Sequence, residues 1–437
     1  MRKFFLIALL AAAAHAQNHL GTIVFPNSGT PEAQPAFLRG VLLLHNFAYP
    51  QAAEAFREAQ KVDPKFALAY WGEAMTYNHP LWNQQDIEGG RRVVQEMIPL
   101  AASATPRERG YIEAVEALYG RGERQQRNEA YEAAMERLAR AFPADVEAQA
   151  FWALSILGAR EWHQRDERRS IRAAAILEDL LPSHPDHPGV LHYMIHAYDD
   201  PILAPLGLRA ARRYANVASS APHALHMPSH IFLQLGMWEE TARSNQAAFA
   251  LSKQWKQPDM HSLSWLEYAD LQMHRYAEAK KLIDEATGRP KETMKVRYAV
   301  ETGDWDSFTF DEPLGKTLQS IAGKRLDDAG KSLPQIESET DRLEATALLD
   351  AARGNLNDAL HQAELAVAAE ETLGVPSGPP ENFKPAHELY GELLLQDGRT
   401  SDAIEQFNAS LLRTPNRAAS VADLARATAK VTAASSR

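Results

Sequence analysis

The chain has no cysteine among its 437 residues. That absence excludes disulfides, a thiolate nucleophile, thiolate metal ligands and a cysteine-linked lipid anchor, so core packing alone must hold the fold. Positive charge is also scarce. Lys and Arg number 46 against 57 Asp and Glu, a formal net charge of −11 that becomes −13 if Arg2 and Lys3 are lost with a leader. This balance argues against nucleic acid as a partner and offers no attraction to anionic membranes. Beyond Ala16 no apolar run is long enough to span a bilayer. Glycine-rich phosphate loops and G-x-S-x-G nucleophile elbows are missing as well. What remains is 45% hydrophobic and 24% charged, the composition of a folded soluble protein.

The first residues read MRKFFLIALLAAAAHAQ. A basic start, an apolar stretch from Phe4 to Ala14 and the small-residue site Ala14-His15-Ala16 predict a signal peptide over 1–16, cleaved before Gln17. The expected mature protein is periplasmic or secreted, without membrane insertion. Residues 17–33, containing LGTIVFPNS, are expected to form an extended N-terminal arm.

A repeat of 34 residues governs the rest. Ala52, Phe56, Ala59 and Pro64 stand at offsets 0, 4, 7 and 12, and the same offsets recur in Ala403, Phe407, Ser410 and Pro415, and in Ala210, Tyr214, Val217 and Pro222. Small residues at 0 and 7 let a neighbouring helix approach, the aromatic fills the gap, and proline closes the helix. Stretches such as GMWEE from Gly236 and GNLNDA from Gly354 have the form of tight helix-to-helix turns. This pattern resembles the tetratricopeptide repeat (TPR) family. The fold expected is all-α, a right-handed superhelical solenoid of helix-turn-helix repeats. The resemblance implies that the first helix of each repeat lines a concave groove where a protein, peptide or small ligand would sit. Residues 34–300 are expected to form an N-terminal array with a histidine-rich concave face. Residues 301–341 would be irregular connecting repeats, 342–425 C-terminal repeats, and 426–437 a tail. The stretches LLLHNFAY, AYWGEAM and HMPSHIF look like those of exported bacterial repeat proteins, a likeness that implies no activity.

Histidines follow the same interval. His192 and His196 are four apart, His226 and His230 are four apart, and the two pairs are offset by 34. Residues four apart share one helix face, and residues one repeat apart sit on neighbouring helices. The four imidazoles are therefore candidate ligands for one divalent transition metal, Zn, Cu or Fe, with His223 and His261 as further members. Asp199 and Asp200 follow the first pair and could orient an imidazole or act as acid–base partners. Pro228 interrupts the second pair, so the helix either starts there or is broken there. Tyr193 stands where a zinc-protease helix needs Glu, which excludes that chemistry. A second candidate pocket comprises His45, Trp71, His79 and Trp82, with Glu73 as a third acid–base candidate; His45 and His79 also differ by 34. The histidines of SHPDHPG, His184 and His187, read as loop residues, and His387 and Glu388 as structural ones. Two readings stay open: a metal-binding repeat protein, with or without catalysis, and a periplasmic protein- or peptide-binding scaffold with neither.

Overall fold

The computed structural model describes residues 19–160 and 166–435. The expected signal peptide and cleavage site lie outside them. The described chain is all-α apart from one short hairpin, and its helices run in antiparallel pairs as the repeat predicts. They divide into two compact units: Met1–Tyr198 with Leu206–Pro228, and Asp199–Pro205 with Ser229–Arg437.

The first unit begins with the arm, whose Phe25 packs against Phe37, Trp71 and Tyr111. There follow α1 (Gln34–His45) and α2 (Tyr49–Val62), then α3 (Ala67–Met75) and α4 (Ile87–Met97). Between α3 and α4 lies an antiparallel hairpin, β1 (Asn78–His79) on β2 (Gln84–Gln85), with Asn78 opposite Gln85. Next come α5 (Pro106–Leu118), α6 (Arg124–Ala141), α7 (Val146–Gly158), α8 (Glu167–Leu180), α9 (Pro188–Ala197), α10 (Ala204–Val217) and α11 (Pro222–His226). Local chemistry fixes several of the starts. Thr105 and Glu108 form a capping box on α5, and the Asp86, Asp145 and Asp166 carboxylates accept amide hydrogens at the starts of α4, α7 and α8.

The second unit contains α12 (Pro228–Gln234), α13 (Trp238–Gln254), α14 (Met260–Gln272), α15 (Tyr276–Glu285), α16 (Gly288–Thr302), α17 (Pro313–Ala322) and α18 (Leu326–Ser332). It ends with α19 (Glu339–Ala352), α20 (Leu356–Thr372), α21 (Ala386–Gln396), α22 (Thr400–Arg413) and α23 (Ala418–Ser435). Its interior holds a buried ion network in which Arg417 pairs with Glu388 at 2.8 Å and with Glu301 at 2.6 Å. Among the described residues no helix is long and apolar enough to cross a membrane.

The offset pattern has a direct packing cause. Ala52, Phe56 and Ala59 of α2 are fully buried, as are Ala403, Phe407 and Ser410 of α22. The Phe56 ring lies against Gly72 of α3 so closely that a Cβ there would stand 2.2 Å from it, and Phe407 meets Gly391 in the same way at 2.6 Å. Each aromatic thus needs a facing residue without a side chain. The turns within helix pairs share a second feature, one residue in the left-handed region. Gly236, Gly354 and Gly398 occupy it at no steric cost, whereas His274, Lys324 and, after α1, Phe47 with φ 53° occupy it with a side chain.

Candidate functional site

In the first unit, α9 places the first histidine pair. Pro188 opens the helix and the His187 Nδ1 accepts the Val190 amide hydrogen at 3.2 Å, so His187 is an N-cap. The helix is unbroken from there to Ala197, which puts His192 and His196 on one face a turn apart. His192 is fully buried and His196 half-buried. Gly189 allows α9 to lie close to the end of α1, because a Cβ there would stand 2.3 Å from the His45 Nδ1. With α9 that close, the His192 Nδ1 reaches the His45 backbone carbonyl at 2.6 Å.

That contact decides the tautomer. A carbonyl only accepts, so the proton sits on Nδ1 and the Nε2 of neutral His192 carries the lone pair. The His196 Nε2 lies 3.1 Å from the His192 Nε2. Two lone pairs cannot face each other at that distance, so either His196 donates a proton or both nitrogens face a cation. His223, from α11, completes a trio whose ligand nitrogens all lie within 4.8 Å of one another. Around a tetrahedral zinc ion with Zn–N of about 2.0–2.1 Å, ligand nitrogens stand roughly 3.4 Å apart.

An aromatic collar surrounds it. The Phe47 ring centroid is 4.3 Å from that of His192, 5.8 Å from His196 and 5.5 Å from His223. Trp82 meets His223 edge-on at 5.5 Å, and Tyr214 stacks on His192 at 5.2 Å. The Tyr214 hydroxyl donates to the Asn46 Oδ1 at 2.7 Å, and the Asn46 amide donates to the Leu42 carbonyl at 2.8 Å. Phe47, strained at its own backbone, is thus the residue that touches all three imidazoles.

Behind the trio lies a second cluster, His45, Glu147 and His187, at most 3% exposed. The Glu147 Oε2 is 2.7 Å from the His45 Nε2, and its Oε1 is 3.1 Å from the His187 Nε2. The His187 Nδ1 already accepts an amide hydrogen, so its Nε2 carries the proton and donates to Glu147. With the His45 Nε2–H donating to the other oxygen, the His45 Nδ1 accepts from the Tyr193 hydroxyl at 2.8 Å. Burial raises the Glu147 pKa, but two imidazoles and their hydrogen bonds outweigh it and hold the carboxyl well below the usual range. Burial pulls His45 below its ordinary value even though Glu147 opposes the shift. The cluster is therefore a carboxylate held by two neutral imidazoles, with its bonds satisfied inside the protein. It fixes the end of α1, and with it the carbonyl that orients His192.

The structure settles the alternatives at Pro228. The helix is interrupted there, with α11 ending at His226 and α12 starting at Pro228. His223 joins His192 and His196, while the His226 ring lies 6.1 Å from that of His223. His230 belongs to the second unit, where its Nδ1 lies 2.7 Å from the Asp199 Oδ2 and its ring 4.4 Å from that of Trp265. His261, near the start of α14, has its ring 5.2 Å from that of the same tryptophan, Trp265. Asp200 accepts the Ile202 and Leu203 amide hydrogens at 2.7 and 3.1 Å and serves the turn. The other candidates lie in the first unit. His79 stacks on Tyr49 at 3.9 Å beside Trp82, Trp71 is buried among Phe25, Tyr111 and Phe151, and Glu73 is ion-paired with Arg57 at 2.7 Å. His387 lies 2.8 Å from Gln406, and Glu388 is bound by Arg417. Sequence reasoning missed Glu147, Tyr214 and Phe47 as parts of the site. For Phe47 a signal exists: an aromatic stands at a turn position that other repeats give to glycine, histidine or lysine.

No family profile and no curated protein sequence matches the chain. Several solved structures are similar to it. The APC/C hetero-tetramer Cut9–Hcn1 is 15% identical, covering 97% of this chain and 82% of that one, with a TM-score of 0.39. The TPR domain of P58(IPK) is 12% identical over 93% of this chain and 100% of that one, at 0.24. Yeast Tom70 is 11% identical over 92% and 89%, at 0.34. The fold assignment rests on the helix pairs themselves. The chain is an array of TPR-like helical repeats.

Proposed function

We propose that this repeat protein binds a divalent transition metal through the Nε2 of His192 together with His196 and His223. The observation that carries this reading is the bond from the His192 Nδ1 to the His45 carbonyl. It is the main-chain bond by which metal-ligating histidines are oriented, and it turns the lone pair of a fully buried ring toward two more imidazoles. Three nitrogen ligands suit Zn, Cu or Fe, and a three-histidine set leaves a coordination position for water or a small ligand. The aromatic collar packs against the three rings and lowers the local dielectric, which strengthens binding of a cation by neutral dipoles already turned toward it. The N-terminal stretch supports export, which would place this chemistry outside the cytoplasm.

The test is titration of the metal-free chain with Co2+, followed by its visible absorption, and competition with Zn2+. The wild type is expected to give a saturable d–d spectrum. His196→Ala and His223→Ala should each weaken binding at least tenfold, with helix content unchanged by circular dichroism. Undiminished binding in the double variant would remove the proposed ligands and leave a helical array whose groove should be searched for a peptide.

A further inference from the structure

The proposed trio makes no use of the Asp199–His230 pair in the second unit. We infer that His230 and His261 form a second transition-metal site, in which Asp199 is a positioning residue. The His230 Nδ1 is 2.7 Å from the Asp199 Oδ2, so the proton on that nitrogen is shared with the carboxylate and the Nε2 bears the lone pair. A carboxylate behind an imidazole raises its basicity and fixes its ring, the arrangement found behind metal-ligating histidines.

Asp199 is itself held in place. Its Oδ1 accepts from the Gln234 Nε2 at 3.3 Å, and that amide also donates to the Pro376 carbonyl at 2.8 Å. The pair sits against Trp265, which is 4% exposed and whose ring lies 4.4 Å from His230 and 5.2 Å from His261. His230 and His261 each offer a ring nitrogen, and these lie within 4.8 Å of one another. His261 enters α14 directly after Met260, its backbone amide capped by Asp259 at 3.0 Å, so its ring position is set by a helix start rather than by a mobile loop. His261 is exposed, whereas His192 is fully buried. The second site is therefore the more open of the two, which makes it weaker and faster to exchange than the trio.

This inference is independent of the trio, and stoichiometry separates the two. Metal-free wild type titrated with Zn2+ by calorimetry should take up two equivalents, a tight one and a weaker one. His230→Ala with His261→Ala should lose the weaker equivalent and keep the tight one, whereas His196→Ala with His223→Ala should do the reverse. Asp199→Asn should weaken the second equivalent about tenfold and leave the first unchanged, as expected for a partner that acts through the imidazole. A wild type that saturates at one equivalent, lost with His196 and His223, would overturn the second site. So would a weak equivalent that persists without His230 and His261.

Discussion

At the scale of single residues, three buried side chains hold one another in fixed protonation states, and the candidate ligand depends on them. Glu147 is ionised between two neutral imidazoles, and His45 presents its carbonyl to His192 because its own ring is anchored to Glu147 and Tyr193. This has a consequence for pH. Burial lowers the His45 pKa in the fold, so between its folded value and 6.5 the unfolded chain binds a proton that the folded one does not. The stability it contributes is present above pH 6.5 and is lost as pH falls below that. Glu147, also depressed in the fold, contributes above its ordinary 4.5 and loses that contribution as pH falls further. The melting temperature of the metal-free protein should therefore decline in two stages on acidification, the first starting near pH 6.5. A flat profile from pH 8 to pH 5 would contradict the neutral assignment of His45.

At the scale of helices, the site depends on how closely α9 approaches α1, and that approach depends on Gly189. A methyl group at 2.3 Å from the His45 ring cannot be accommodated without moving one helix. Gly189→Ala should destabilise the fold by about 1–3 kcal/mol, the usual cost of overpacking a close contact. It should also weaken metal binding, because the His192 Nδ1 loses its carbonyl. A calorimetric titration of the variant at a temperature where it remains folded checks this, and unchanged affinity would show that the carbonyl does not orient the ligand.

The same helices show how far the sequence could be read. The interval of 34 and the small–aromatic–small offsets were legible because packing enforces them at every repeat, as at Phe56 on Gly72 and Phe407 on Gly391. The pair His192 and His196 was legible because nothing interrupts α9. His223 was legible only as an outlying candidate, because the interval of 34 points to His226 and only tertiary contact shows His223 beside His192 and His196. Glu147 was hidden for another reason: an acid in the first turn of a helix ordinarily serves the helix dipole, and only tertiary contact shows it between two imidazoles.

At the scale of the whole molecule, a chain without cysteine carries its functional candidates as nitrogen ligands distributed over two compact units, each with its own buried core and its own oriented histidine. Repeat architecture makes this possible, since neighbouring helices present equivalent positions side by side and small departures from the pattern can be absorbed locally. Phe47 and Pro228 are such departures. Both stand within two residues of histidines, Phe47 after His45 and Pro228 between His226 and His230.

The most direct test of the central claim is elemental analysis of the wild type and the His196→Ala, His223→Ala double variant. Both should be purified without a histidine tag or chelator and dialysed against the same Zn2+ buffer. The account predicts that the variant holds about one equivalent less of a single transition metal than the wild type, with the same helix content. Equal metal in the two proteins, or none in either, would contradict it.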